Sequence, residues 1–470
     1  MTPTDTARAV RPVVLLLCAN LVLGAVFALL TVLFRDSVLA HQLAADPGRD
    51  RAEAEVSLWT RAGMVVVVAF GYLWVLKGLR AGRRGAYRRV RVLSAVGLVA
   101  VGVLVGTAAY PSWLRVIQIG QLVLLATLVW LVNSKRVREC FPAQAPTGKP
   151  VAALVLAVVT PVIADFSLGT VPLSMAWVML VYIPIYGGGV VLAREVVRRT
   201  GDGAFALLLM GLAYGVLEEG IALRGLTSPT LYGAAGWAPR LFGVNTAYAE
   251  LNLFHHMVFS VLLPVVLVES LFREHGRRPY LGRAGLVLVG FVTAVGVVLA
   301  RITAMDLDPG YDLPVPVLVV LLALIVCLVV AAIRVRPTIP PSAPPRPVAV
   351  GVWAGAASLL FVALLFPFGG AAHPAFTRGS WVFVPMVVAA VIAVVTLGEA
   401  LRWAESPLWT VKHVWAAVGA AVAGQAVFGA IAEADAVVDR AALLVLAAAV
   451  LGVTSWSVRR VRVERAVAVR

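Results

Sequence analysis

The chain has 470 residues, 61% hydrophobic and only 14% charged, with a mean hydropathy of +0.93. Soluble domains carry roughly a quarter charged residues, so a water-soluble enzyme, a DNA-binding protein and an outer-membrane barrel are set aside. Apolar runs of about 20 residues, each able to cross roughly 30 Å of hydrocarbon as a helix, identify an all-α polytopic membrane protein whose first partner is the lipid bilayer. The net charge of +16 does not call for nucleic acid, because basic residues in short cytoplasmic loops, where they set orientation, account for it.

Fourteen candidate spans follow in chain order, near residues 12–33, 58–76, 92–110, 113–133, 151–165, 175–193, 203–223, 250–272, 284–303, 315–334, 348–366, 380–398, 411–432 and 441–458. The first is too long for a signal-peptide core and no small-x-small cleavage site follows it, so it reads as a retained span. Cys18, Cys140 and Cys327 are widely spaced, with no CxxC or Cys/His pattern. Neither a disulfide nor a metal site is expected from them, and no cofactor motif is present.

Charge tests the span count independently. With the N-terminus inside, 30 of the 40 Lys and Arg residues fall on the cytoplasmic side, including the basic blocks at 77–91, 135–138, 194–199, 273–283 and 459–465. The acidic loops at 36–55, 306–312 and 433–439 fall outside. Both termini are therefore expected in the cytoplasm, with the protein in the cytoplasmic membrane. High Ala, Val and Arg usage suggests a bacterial source.

Two linkers, FPAQAPTGKP at 141–150 and the proline-rich PTIPPSAPPRP at 337–347, divide the spans 4 + 6 + 4. The second is expected to be extended and polyproline-like. The modules expected are a four-span unit at 1–140, a six-span unit at 141–336 and, after the 337–347 linker, a four-span unit at 348–470.

Ionisable residues at membrane depth are the informative ones, since each is costly unless paired or hydrated. Gln118, Gln121 and Gln425 can satisfy themselves through interhelical hydrogen bonds. Glu399 and Arg402 sit at a helix end where they can snorkel. Asp165 and Arg301 fall near outer ends, where they can pair or reach water.

The central unit differs. Its span at 203–223 carries adjacent carboxylates, Glu218 and Glu219, followed by Arg224. At about 1.5 Å per residue the doublet lies roughly 22 Å from the cytoplasmic end of that helix. The next span, ELNLFHHMVFSVLLPVVLVES, places Asn252, His256 and Ser260 four apart and therefore on one face, with His255 about 100° away. The two helices are consecutive and antiparallel, so the Glu and His pairs are expected at similar depth.

Gly211 and Gly215 would let a neighbouring helix approach the carboxylate face closely. The Gly187–Gly188–Gly189 run predicts close packing or a break. The 24-residue loop between the two spans is long enough to cap a site. A carboxylate so placed can act as general base toward water while an imidazole donates to a developing oxyanion. Proton coupling and plain neutralisation of buried charge are the alternatives.

At these residues the central unit resembles the CPBP (CAAX protease and bacteriocin-processing) family of glutamate-dependent intramembrane proteases. The resemblance covers about 60 residues and rests on the Glu218-Glu219 doublet, on Arg224, and on His255 or His256 as first histidine. It implies a water-activating Glu, an oxyanion-stabilising His, no metal, and a membrane-protein or peptide substrate, with Asn252, Arg224 and Ser260 on the substrate side. Two features depart from the family pattern. Four residues rather than three separate the doublet from Arg224, and Ser260, not Asn or Asp, stands four residues after His256. A proton-coupled transporter and a non-enzymatic scaffold are the competing functions.

Overall fold

A backbone inside hydrocarbon must satisfy its own N–H and C=O groups, which for an apolar run means a helix. In the computed structural model, residues 3–45, 51, 58, 75–81, 84–106, 110–141, 149–200, 203–231, 239–365 and 379–460 are described. Among them, thirteen helices are long and apolar enough to cross a membrane. They are α1 (Ala9–Leu33), α2 (Gly85–Gly106), α3 (Ser112–Val132), α4 (Lys149–Phe166), α5 (Leu173–Thr200), α6 (Ala204–Ala222) and α7 (Thr246–Leu271), followed by α8 (Arg283–Leu307), α9 (Val315–Arg334), α10 (Pro347–Leu365), α11 (Ser380–Ala404), α12 (Val411–Ala432) and α13 (Val437–Arg459). Each corresponds to one expected span. The remaining expectation, near 58–76, falls almost wholly outside the described residues, as do 142–148 of the first linker and 232–238 of the loop between α6 and α7. The chain is thus an all-α polytopic bundle, with a two-residue antiparallel ribbon, Arg240–Leu241 against Val244–Asn245, as its described strand pairing.

The chain divides into two compact units, 1–145 and 146–470. In the first, α1, α2 and α3 bury Val13, Leu17, Val90, Leu125 and Leu128 against one another. Tyr87 donates its hydroxyl to the Val132 carbonyl at 3.0 Å and stacks on Phe141.

The second unit holds α4 to α13, so the last four spans pack onto the central six. Its most buried helices are α6, α12 and α7, with 67%, 61% and 56% of their apolar windows enclosed, against 11% for α8 and α9. The outer helices instead present Phe291, Val319, Val387 and Val445 outward, as lipid-facing surfaces do. Small residues allow the close inner contacts. A Cβ on Gly429 of α12 would stand 2.1 Å from the Leu168 carbonyl oxygen, and one on Gly424 would stand 2.5 Å from the Gly355 oxygen of α10.

Each of the four central helices α4 to α7 contains a π-helical turn, at Val162–Phe166, Ile183–Gly187, Val216–Ala222 and His256–Leu262. Prolines supply the local cause in three of them. Pro161, Pro184 and Pro264 each lack the N–H that would bond the carbonyl four residues back, and a wider turn absorbs the mismatch. In the fourth, Arg301 of α8 donates to the Ile221 carbonyl at 3.0 Å. The Gly187 run sits where α5 returns from π to α geometry, and a Cβ there would meet the Ala157 oxygen of α4 at 2.2 Å.

At the end of the bundle that includes Thr200 and Leu271, a buried ion network ties α5 to α7. Arg194 bonds Glu195 at 3.1 Å and Glu269 at 2.9 Å, while Arg198 grips Glu269 at 2.8 Å. Glu195 also accepts from the Tyr280 backbone N–H at 2.7 Å, and the Arg194 guanidinium lies 3.3 Å over the Tyr280 ring.

Candidate functional site

The π-turns bring polar side chains from four helices to one enclosed place. Glu218 and Glu219 lie within the widened turn of α6 and are 2% and 4% exposed; His256 opens that of α7 and is 2% exposed. Such turns recur at functional sites because the inserted residue re-aims its neighbours. Gly211 and Gly215 permit the approach of α6 to α7: a Cβ on Gly211 would meet the Met257 Cα at 2.7 Å, and one on Gly215 the His256 Cβ at 3.2 Å.

His256 is the hub. Its Nε2 lies 3.0 Å from Glu219 Oε1, and its Nδ1 lies 3.0 Å from Ser260 Oγ and 3.5 Å from Glu218 Oε2. A neutral ring that donates through Nε2–H to Glu219 accepts the Ser260 hydroxyl at Nδ1. The other Glu219 oxygen accepts the Tyr248 hydroxyl at 2.6 Å, so both oxygens of this carboxylate are engaged. Glu218 differs, because its Oε2 makes no hydrogen bond although it is enclosed. Tyr214 and Tyr186 flank it, their rings 5.7 and 6.1 Å from His256 and from each other respectively. The Tyr214 hydroxyl makes no close hydrogen bond but interacts with the Glu218 carboxylate beside it, and Oδ2 of Asp165, within electrostatic reach of Glu218 and His256, is buried without a close partner.

The remaining expected site residues, Ser260 excepted, lie elsewhere. His255 points away from the doublet, and its Nε2 meets Gln425 Oε1 of α12 at 3.2 Å. The Gln425 amide donates to the Ile163 and Ala164 carbonyls at 3.0 and 2.8 Å and to Ser167 Oγ at 3.0 Å, carbonyls that lie in or beside the π-turn of α4. Asn252 turns back to the Tyr248 carbonyl at 3.1 Å rather than into the cluster. Ser260 joins it, as the four-residue spacing required.

Arg224 is also separate from the doublet. It adopts a positive φ of 65° and buries its guanidinium against the carbonyls of Ala304, Asp308 and Tyr311 at and just beyond the end of α8, where a cation is favoured by the helix dipole. Beside it the Asp308 carboxylate accepts from Ser228 and Thr230. The Ser228 hydrogen bond, with smaller help from Thr230 and Arg224, holds the Asp308 carboxyl below its ordinary pKa of 3.8. The loop after α6 is therefore latched to the turn before α9, and Arg240 binds the loop to itself through the carbonyls of Thr227, Ser228 and Gly243.

Four contributors were absent from the sequence-derived site: Tyr186, Tyr214, Tyr248 and Asp165. Tyr214 stands one turn before Glu218, and a tyrosine inside an apolar span is a polar group that needs a partner. That signal pointed to it. Asp165 was placed near an outer end, but the turn after Pro161 carries its carboxyl toward Glu218, and Arg301 bonds Ile221 instead of pairing with it.

Among the described residues no group of three or more His, Cys, Asp or Glu side chains is arranged to hold a metal ion. What the cluster offers chemically is an open carboxylate oxygen beside an open hydroxyl donor, with an imidazole braced between the two glutamates.

No curated protein and no solved structure matches the chain. Residues 154–455, which contain every residue of this cluster, match the model of an uncharacterized membrane protein family. The match spans more than half of the sequence and covers α5 to α12 entire, and the chain, an integral membrane protein, belongs to that family.

Proposed function

We propose that the protein is an intramembrane peptidase of the CPBP type, resident in the cytoplasmic membrane with both termini inside. The observation that carries this reading is the asymmetry of the carboxylate pair: Glu219 is engaged at both oxygens by His256 and Tyr248, while Glu218 keeps Oε2 open 3.5 Å from the same imidazole. Glu218 is then the base that takes a proton from water as its oxygen attacks the scissile carbonyl, and the Tyr214 hydroxyl is the nearest open donor for the developing oxyanion. His256, fixed by Glu219 and Ser260, orients Glu218, which then passes the proton it took from water to the leaving amine. The resemblance implies that the imidazole serves the oxyanion; with both ring nitrogens engaged, Tyr214 fits that role better. The substrate class is a membrane-embedded polypeptide. Basic residues at the ends assigned to the cytoplasm support the orientation.

A second reading, proton-coupled transport, draws on one specific observation: Asp165 adds a third carboxyl with an open oxygen to the same buried site. Intramembrane carboxyl clusters of this kind are typical proton relays.

The test compares the termini of membrane and secreted proteins in cells carrying wild type or Glu218→Gln at equal abundance. Loss of a discrete set of cleavage products in the variant supports the peptidase. An unchanged set of termini with a stable variant refutes it and leaves transport as the reading to pursue.

A further inference from the structure

Residues 335–346, between α9 and α10, form neither helix nor strand. They join two consecutive membrane-spanning helices, so they lie outside the hydrocarbon whichever way the bundle is inserted. Their core is PPSAPPR at 340–346. Proline fixes φ near −65° and favours the polyproline II helix, which has three residues per turn. On such a helix Pro340, Ala343 and Arg346 share one edge, Pro341 and Pro344 the second, and Ser342 and Pro345 the third. The bundle holds the segment by that third edge. The Ser342 backbone N–H donates to the Arg402 carbonyl of α11 at 3.1 Å, and His413 Nε2 of α12 lies 3.1 Å from the Pro345 carbonyl oxygen. The Ser342 hydroxyl is buried. Upstream, Arg336 donates to the Thr200 carbonyl at the end of α5 at 3.3 Å. The other two edges face outward, with Pro340, Pro341, Ala343 and Arg346 exposed and Pro344 half-buried.

From this arrangement we infer that residues 340–346 are a docking ligand for a soluble protein domain of the SH3 type, whose groove is lined by aromatic side chains and flanked by acidic ones. The Pro340–Pro341 and Ala343–Pro344 pairs fill the aromatic slots, and Arg346 meets the acidic flank. Three observations converge on that partner. The two apolar pairs stand three residues apart, the repeat such grooves read. The cation follows one turn after Ala343, on an edge that is exposed throughout. The bundle takes hold through Ser342 and Pro345, the two positions that a groove gripping the pairs leaves outside. A segment already held in place loses little freedom on binding, and its prolines have no N–H to desolvate. Nothing in this contact involves the carboxyl cluster.

The test is titration of the full-length protein, in lipid nanodiscs, with a purified SH3 domain selective for Pro-x-x-Pro-x-Arg ligands, read by fluorescence anisotropy beside a free peptide of residues 337–347. One domain should bind per protein, at least as tightly as it binds the peptide. Pro341→Ala/Pro344→Ala and Arg346→Gln should each weaken binding by about tenfold or more, as loss of a central anchor does. Ser342→Ala, on the held edge, should bind as wild type. The free peptide should displace the domain from the wild-type protein and its Pro341→Ala/Pro344→Ala counterpart should not, a comparison that needs no variant protein to fold. Binding to the peptide but not to the protein overturns the inference and leaves the segment a spacer between α9 and α10. Failure to bind the peptide, or binding to the protein that survives the proline replacements, overturns it equally.

Discussion

Gly211→Ala is the sharpest test of how the site is assembled, because it removes no charge and no hydrogen-bonding group. The added Cβ would stand 2.7 Å from the Met257 Cα and 3.0 Å from the Met257 oxygen, whereas carbon atoms pack no closer than about 3.5 Å without repulsion. Both obstacles are backbone, so no side-chain rotation relieves them and α6 must withdraw from α7 by about 0.8 Å. Carried to the carboxyl cluster, that displacement lengthens the 3.0 Å His256–Glu219 contact to about 3.8 Å, beyond hydrogen-bonding range. Overpacking of this kind costs about 1–3 kcal/mol.

The assay is thermal unfolding of the purified protein in detergent, read beside the cleavage-product comparison. Gly290→Ala in α8 is the control, since a Cβ there meets nothing within 4 Å and alanine favours the helix. A Gly211→Ala protein that melts with the control would refute the claim that glycine at 211 is what lets the two helices meet.

Tyr214→Phe should change stability little, because the hydroxyl it deletes makes no close hydrogen bond and only a weak interaction with Glu218, yet it should abolish cleavage; wild-type activity in that variant would remove the tyrosine from the mechanism. Gln425→Leu strands His255 and removes the amide from the Ala164 carbonyl, while Ile163 keeps the Ser167 hydroxyl, for about 1–3 kcal/mol per group left unsatisfied. A double-mutant cycle with His255→Phe should show non-additive unfolding energies, and additivity would contradict the contact. Glu195→Ala removes one of the two carboxylates on Arg194, which keeps Glu269, and strands the Tyr280 backbone N–H; the expected cost is about 1–3 kcal/mol, read as a lowered melting temperature. Asp308 has its folded-state pKa below the ordinary 3.8, so the latch it forms with Ser228 is at full strength above that value and is lost as pH falls below it through the depressed pKa. Pepsin cleavage of the loop between α6 and α7 should therefore rise steeply on acidification in wild type, and Asp308→Asn should flatten that dependence.

Helix number and chain position were legible in the sequence because hydrocarbon imposes a local rule: an apolar run of sufficient length becomes a helix whatever surrounds it. The same locality made the Glu218-Glu219 doublet visible, and four-residue spacing put His256 and Ser260 on one face. The sequence put Asp165 near the end of its span, where it lies, but gave no sign that its carboxyl reaches Glu218. Regular α-periodicity could not foresee that Pro161, Pro184 and Pro264 would be absorbed by wider turns, each of which shifts the angular phase of everything that follows.

Tertiary structure alone decided the partners. Arg224 follows the doublet in the chain, but backbone carbonyls at and beyond the end of α8 claim it, through contacts about 80 residues away in sequence. Gln425 reads as an ordinary packing residue of α12 until Gly429 lets that helix press against α4 and deliver the amide to the π-turn carbonyls. The tyrosines around Glu218 and Glu219 acquire their meaning in the same way. Buried polar groups must be satisfied or brought to a common place, and which groups meet is a property of how helices pack, not of the spacing within any one of them.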